Sequence, residues 1–115
     1  MELFNDAKLL RIYIGELDKV KGNPLYEEIV LSAKKQGLAG ATVIRGIMGF
    51  GANSRIHTAK LLDLSMDLPI IVEIMDDEQK ISDFLPLLND LLEKANCGAT
   101  VTIEKATVLH YRQKK

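Results

Sequence analysis

The chain has 115 residues, of which 47% are hydrophobic and 27% are charged, and its formal net charge is -1. This length fits one domain with a sizeable core, so residues 1–115 are predicted to form a single domain. The near-neutral charge and the few aromatic residues exclude the basic, base-stacking surface that nucleic-acid-binding proteins use. The longest apolar stretch, Leu68–Met75, is interrupted by Glu73, and the acidic N-terminus lacks the pattern of a secretory signal. We therefore expect a cytoplasmic protein that is not embedded in a membrane.

The first part of the chain predicts a strand followed by a helix. Residues 9–16 alternate so that two sets of side chains face opposite sides, namely Leu10, Ile12 and Ile14 against Leu9, Arg11 and Tyr13. Asn23 is predicted to cap the helix, with Pro24 in its first position. The helix should end near Gln36, because Gly37 can adopt the left-handed conformation that commonly follows a helix.

Two further strands are predicted on either side of a polar loop. The first runs from Ala41 to about Met48, and the second covers Leu68–Met75 with alternate apolar residues on one face. The loop from about residue 49 to residue 65 is polar at its start and has few candidates for core packing before Leu61. We therefore expect this loop to be mobile.

A second helix and a fourth strand complete the chain. The helix is predicted to begin at Asp76 or Asp77 and to carry a wide apolar stripe that continues in phase beyond Pro86, where we expect a kink. Gly98 is predicted to close this helix. The last strand is predicted from Thr100 to Tyr111, with a bulge near residue 105 where the alternation slips.

The resulting order, β-α-β-β-α-β, predicts an α+β domain of the ferredoxin-like class. In this fold, two helices cover one face of an antiparallel sheet, and the domain core should span about residues 8–112. The opposite face should carry Leu9, Tyr13, Ile71 and Met75, which would leave apolar surface in water in a monomer. Self-association of the chain is the simplest way to cover that face.

The stretch GLAGATVIRGIMGFG, residues 37–51, places five glycines around the short β-branched segment Thr42–Ile44. Glycines in such a position mark either a bulge or turn, or a strand that ends in a loop able to approach a ligand closely. Because the glycines lie at the two ends of the segment and a polar loop follows, we favour the binding loop.

These residues resemble a known family. The stretches GLAGATV, GFG, HT at His57 and Thr58, and LPIIVEI at residues 68–74 occur in the order found in PII signalling proteins. GATVIRGIMGFG together with SRIHTAKLLDLS is still more similar to a small PII-like family of bacterial and archaeal proteins. The resemblance extends from the first strand to about Arg112 and implies the same fold, assembled as a homotrimer.

The resemblance further implies a non-enzymatic regulatory protein that binds an adenine nucleotide between neighbouring subunits. By position, Gly46, Gly49, Phe50 and Gly51 correspond to the loop base that holds the nucleotide, and Arg112 corresponds to a C-terminal arginine that reaches its phosphates. The flexible loop would control a partner protein, for which a membrane transporter or channel is the expected class. No obligatory cofactor is implied, and the ligand could be AMP, ADP, ATP or a cyclic nucleotide.

The chain also departs from the PII pattern. The stretch IRGIM is one residue longer, so Arg45 has no fixed counterpart and stays a second candidate for phosphate contact. No tyrosine occurs between Tyr26 and Tyr111, which excludes uridylylation by the PII route. Only NCGAT, residues 96–100, stands where PII proteins have a phosphate-wrapping loop, so phosphate must be held less tightly or differently.

Other interpretations stay open at this point. Arg55, His57, Thr58 and Lys60 form either a partner-binding or anion-binding surface or an ordinary solvated loop. The single cysteine cannot form an internal disulfide, and no cluster has metal-ligand spacing, so no metal is predicted. The alternatives to a sensor are a small oligomeric enzyme of ferredoxin-like fold, although no nucleophile-plus-base arrangement is visible, and a structural oligomer without ligand.

Overall fold

The computed structural model describes residues 4, 6–51 and 67–114, together with the backbone of residues 57–58. In chain order, the elements are β1 (Ala7–Gly15), β2 (Lys19–Val20), β3 (Asn23–Pro24), α1 (Leu25–Lys35), β4 (Gly40–Arg45), β5 (Met48–Gly49), β6 (His57–Thr58), β7 (Pro69–Asp77), α2 (Glu78–Ala95) and β8 (Thr100–Lys105). No helix within these described ranges is long and apolar enough to cross a membrane.

Four of the strands form one antiparallel sheet in the order β4-β7-β1-β8. The register places Ile12 of β1 between Val72 of β7 and Val101 of β8. Two short ladders, β2 with β3 and β5 with β6, lie outside this sheet. The arrangement confirms the predicted ferredoxin-like α+β fold.

The hydrophobic core lies between the sheet and the two helices. The predicted inward residues of β1 are buried, and β7 contributes its alternate residues Ile70, Val72 and Ile74 to the same layer. From the helices, the core takes Leu25, Ile29, Ala33, Ile81, Phe84 and Leu88. The period of two along the strands and the helical spacing along α1 and α2 thus identify the two sides of one core.

The helix-free face of the sheet carries the side chains that alternate with the core residues. Leu9, Ile71 and Met75 are half-buried there, and Tyr13 is 40% exposed, as the alternation predicted. The middle of this face is charged, because the Arg11 guanidinium pairs with Glu73 at 2.9 Å and also with Glu104. Every residue of the edge strand β8 is exposed.

Both helices begin or end differently from the prediction. Asn23 is not the cap of α1, because it pairs with Val20 in the β2–β3 ladder, and the backbone N–H of Leu25 donates to the Asp18 carbonyl at 2.8 Å instead. Gly98 does not close α2, because Asn96 already adopts the left-handed conformation with φ of 50°. Asn tolerates that conformation better than most residues with a Cβ. Gly37 does follow α1 with a φ of +79°, as predicted.

Two strands are shorter than predicted, and the second helix continues through its proline as predicted. The strand predicted from Ala41 to Met48 ends at Arg45, and the strand predicted to reach Tyr111 ends at Lys105 without the bulge. The second difference arises because Lys105 pairs with Lys8, next to the start of β1, so no partner strand extends beyond it. α2 continues through Pro86 for nine more residues, as the apolar stripe indicated.

Candidate functional site

A cleft of about 290 Å³ lies at one end of the sheet, where β1 and β4 end and where β7 and β8 begin. Antiparallel pairing brings these four strand ends together. The lining combines glycines, apolar side chains and two carboxylates, and consists of Tyr13, Ile14, Gly15, Asp18, Gly46, Met48, Gly49, Phe50, Gly51, Asp67, Pro69, Ile71, Gly98, Ala99 and Thr100.

One wall of the cleft is the glycine segment, residues 46–51. The Gly46 N–H donates to the Pro69 carbonyl at 2.7 Å, and a Cβ on Gly46 would lie 2.9 Å from the Pro69 Cγ. A Cβ on Gly49 would lie 3.3 Å from the same atom, whereas one on Gly51 would meet nothing within 4 Å. Glycine is therefore required at position 46 for close packing, and this contact is where β4 stops.

Two carboxylates contact Gly15 at the end of β1, which β7 separates from the end of β4 in the sheet. Asp18 accepts the Gly15 N–H at 2.7 Å, and Asp67 accepts the Leu17 N–H at 2.7 Å. A Cβ on Gly15 would come within 2.8 Å of the Asp67 Cγ, so the glycine leaves the space that this carboxyl group occupies. Burial raises the pKa of Asp18 and the charge of Asp67 adds to the rise, while the Gly15 hydrogen bond opposes it.

Cys97 lies beside this acidic wall, directly before Gly98. Burial raises its pKa to about 11, with further contributions from the charge and hydrogen bonding of Asp18. The thiol is therefore protonated at neutral pH and is a poor nucleophile. Among the described residues, no group of three or more His, Cys, Asp or Glu side chains could hold a metal ion.

The structure brings together four of the six predicted nucleotide-binding residues. Gly46, Gly49, Phe50 and Gly51 all line the cleft, and the Phe50 side chain is 72% exposed. Arg45 does not line it, and its side chain forms an ion pair with Glu16.

Arg112 lies in the segment that follows β8 and is exposed. The preceding Tyr111 donates its hydroxyl to the Ala39 carbonyl at 2.8 Å and packs edge-on against Phe4 at 5.2 Å. Ala39 precedes the first residue of β4, whereas the cleft is at the far end of that strand. Residue 111 is therefore anchored at the end of the sheet opposite to the cleft.

The predicted partner-binding loop falls largely outside the described residues. Arg55 and Lys60 lie outside them, and so does most of the predicted mobile segment 49–65. For His57 and Thr58, the structure describes the backbone, which pairs with Gly49 and Met48 as β6.

Several cleft residues were not recognised in the sequence. Asp18 and Asp67 are 49 positions apart, yet one follows β1 and the other precedes β7, whose registered pairing ends at Gly15 and Pro69. The end of one strand lies next to the start of its antiparallel partner, and this rule could have indicated that the two carboxylates are neighbours. Tyr13 and Ile71 had been assigned to the helix-free face, and the same pairing brings them to the cleft.

Comparison with known proteins places the chain in a family. The model of DUF190, described as "Uncharacterized ACR", matches residues 7–108. A UPF0166 protein of Aquifex aeolicus (strain VF5) is 39% identical over 103 residues, which cover 90% of this chain and 93% of that protein.

Solved structures show the same fold at low identity. The chain is similar, with a TM-score of 0.67 and 17% identity, to CPII, a nitrogen regulatory PII-like protein from Thiomonas intermedia K12 bound to ADP, AMP and bicarbonate; the match covers 90% of this chain and 89% of that one. It is also similar, with a TM-score of 0.51 and 16% identity, to a phage SAM lyase in complex with S-methyl-5′-thioadenosine, covering 91% and 86%. These solved structures confirm the PII-like fold that the sequence resemblance implied.

Proposed function

The chain belongs to the DUF190 family, and we propose that it is a PII-like regulatory protein that binds an adenine nucleotide in the cleft at the end of its sheet. The observation that carries this proposal is the lining of the cleft. The glycine segment that corresponds to the nucleotide-holding loop base of PII proteins forms one wall of a cavity, together with residues of the helix-free face. CPII, which shares the fold, was crystallised with ADP and AMP.

The walls suit a purine nucleoside in size and character. Tyr13, Met48, Phe50, Pro69 and Ile71 supply apolar and aromatic surface, which is how most small-molecule sites hold a planar ring. The glycines allow backbone N–H groups to approach an anion without interference from a Cβ. AMP, ADP, ATP and cyclic nucleotides are all candidates, and no obligatory cofactor is required.

We place the ligand between the subunits of a homotrimer. The cleft opens beside the helix-free face, which leaves the apolar residues Leu9, Tyr13, Ile71 and Met75 partly exposed in one subunit. The described lining contains no Lys or Arg, so phosphate charge must be balanced from elsewhere. In a trimer, Arg112 of a neighbouring subunit could supply that charge. The alternative is Arg45, which would have to leave Glu16 and pair with the phosphate instead.

The proposed output is the loop that follows the glycine segment. Nucleotide bound against Gly49 and Gly51 would favour one arrangement of residues 49–65, and a ligand shifts a conformational equilibrium only through such differential binding. Arg55, His57, Thr58 and Lys60 would then contact a partner protein, for which a cytoplasmic surface of a transporter or channel is the expected class. The protein itself would act in the cytoplasm.

Calorimetric titration with AMP, ADP, ATP and cyclic AMP tests the binding, and chromatography of the same mixtures tests turnover. The sensor proposal predicts saturable binding without a new product. Sedimentation velocity of the same protein tests the assembly, and a monomer at micromolar concentration would remove the intersubunit cleft. Failure of all four ligands to bind would overturn the proposal.

A second candidate is an enzyme acting on an adenosyl compound. The similarity to the phage SAM lyase favours including it, although at 16% identity that similarity is one of fold. Adding S-adenosylmethionine to the titration and following its conversion separates the two functions. Binding with conversion would identify an enzyme, whereas binding of nucleotides with no conversion supports the sensor.

A further inference from the structure

The cleft has two chemically different ends. The glycine segment 46–51 lies at one end, where backbone amides and apolar side chains are available. Asp18 and Asp67 lie beside Gly15 at the end of β1, which β7 separates from β4 in the sheet, and no described lining residue carries a positive charge. A ligand that enters this cleft therefore meets an uneven electrostatic environment.

The two carboxylates are held in place by the backbone of the β1–β2 connection. Each uses one oxygen to accept a backbone N–H, that of Gly15 for Asp18 and that of Leu17 for Asp67. For Asp67, the accepting atom is Oδ1, and the missing side chain of Gly15 makes room for the rest of the carboxyl group. Oδ2 of Asp67 has no hydrogen bond to a described residue in the structure, so it can accept one from a ligand.

A phosphate at this end would face two carboxylates at short range in a partly desolvated cleft, where like charges repel strongly. A hydroxyl or amino group would instead gain a charge-assisted hydrogen bond. We propose that Asp67, with Asp18 beside it, orients the ligand by accepting hydrogen bonds from its uncharged donor groups, so that the phosphates lie toward the glycine segment. The inference rests on the proposed nucleotide-binding function and adds the direction in which the ligand lies.

Two parts of an adenine nucleotide carry such donors, namely the ribose hydroxyls and the 6-amino group of the base. The test uses the full-length protein and the variant Asp67→Asn, which retains an oxygen for the Leu17 N–H but replaces the second acceptor by a donor. Asp90→Asn is the matched control, because it makes the same side-chain change at an exposed residue of α2 outside the cleft lining. Urea unfolding of each variant verifies that the fold is retained.

Calorimetric titration with adenosine, AMP and ATP gives the decisive comparison. Asp67→Asn should weaken all three by a common factor of about 10 or more, the loss expected for a hydrogen bond to a charged group. The loss of affinity should be the same for adenosine, AMP and ATP to within about twofold. Salt screens the interaction between the lost carboxylate charge and the distant phosphates, so the number of phosphates should matter little. Asp90→Asn should bind all three like the wild type.

Two analogues identify the donor. 2′,3′-Dideoxyadenosine lacks the 2′- and 3′-hydroxyls of the ribose, and purine riboside lacks the 6-amino group. The analogue without the relevant donor should bind wild type and Asp67→Asn equally. The inference is overturned if Asp67→Asn leaves adenosine binding unchanged, if it strengthens ATP binding relative to adenosine by more than about twofold, or if Asp90→Asn weakens binding as Asp67→Asn does. If the wild type binds none of the compounds, the proposed function fails and the inference fails with it. If the wild type binds them but one of the three contradicting results is found, only the inference is overturned.

Discussion

Replacing Gly46 by alanine tests whether close packing at the end of β4 shapes the cleft. The backbone of Gly46 is not in the left-handed region, so alanine adds a steric effect without backbone strain. Its Cβ would lie 2.9 Å from the Pro69 Cγ and 3.4 Å from the Pro69 carbonyl oxygen, where carbon atoms normally pack at about 3.5–4.0 Å. Pro69 is paired with Gly15 in the sheet, so it cannot move away freely. We expect a loss of about 1–3 kcal/mol in the free energy of unfolding, typical of overpacking.

Gly51→Ala is the matched control, because a Cβ there meets nothing within 4 Å, and Gly49→Ala, at 3.3 Å, should lie between the two. Urea unfolding at one fixed protein concentration measures the differences, since assembly would make stability depend on concentration. Gly51→Ala should change the free energy of unfolding by less than about 0.5 kcal/mol. Equal unfolding midpoints for Gly46→Ala and Gly51→Ala would show that the contact with Pro69 does not constrain this segment.

Three further variants test other parts of the structure. Asp76 is 4% exposed and accepts the N–H groups of Ala39 and Asp77, so Asp76→Ala should lower the free energy of unfolding by about 2 kcal/mol or more. The control Asp90→Ala removes an exposed i,i+4 ion pair and should lower it by less than about 0.5 kcal/mol. Equal urea midpoints for the two variants would contradict this prediction. Arg112→Ala should leave folding nearly unchanged but weaken nucleotide binding by about 10–100-fold, least for AMP and most for ATP, and calorimetry showing equal affinities would leave Arg45 as the better candidate. The pKa of Cys97 is about 11 in the folded protein against the ordinary 9.0, so the folded thiol should be alkylated about 50-fold more slowly at pH 9 than the thiol of the urea-unfolded chain. The same difference predicts a stabilising contribution that is complete below pH 9 and is lost as the pH rises to 11. Alkylation of the folded protein at the unfolded rate would contradict that assignment, and so would an unchanged pH dependence of stability in Cys97→Ser.

Local patterns in the sequence determined the core elements and which of their faces are buried. The alternation of Leu10, Ile12 and Ile14 and the helical spacing of Ile81, Phe84 and Leu88 reflect the geometry of a strand and a helix, so they could be interpreted without knowledge of the fold. The glycine segment was recognisable for a similar reason, because clustered glycines at a strand end depart from strand propensity. The ends of elements were less predictable, since Asn96 and Gly98 are both able to end a helix and the choice depends on where the chain must turn.

The pairing of strand ends decided the rest of the candidate site. Nothing local to Asp18 or Asp67 indicates a shared location, and only the antiparallel register of β1 with β7 brings both to Gly15. The register of β1 with β8 explains why β8 stops at Lys105, because its partner Lys8 is the second residue of β1. Tertiary structure likewise separated Arg45 and Arg112 from the cleft within one subunit, by an ion pair with Glu16 in one case and by the anchoring of Tyr111 at Ala39 in the other. Contacts between residues distant in sequence depend on how whole elements pack, so the lining and charge of the cleft became visible only in the folded chain.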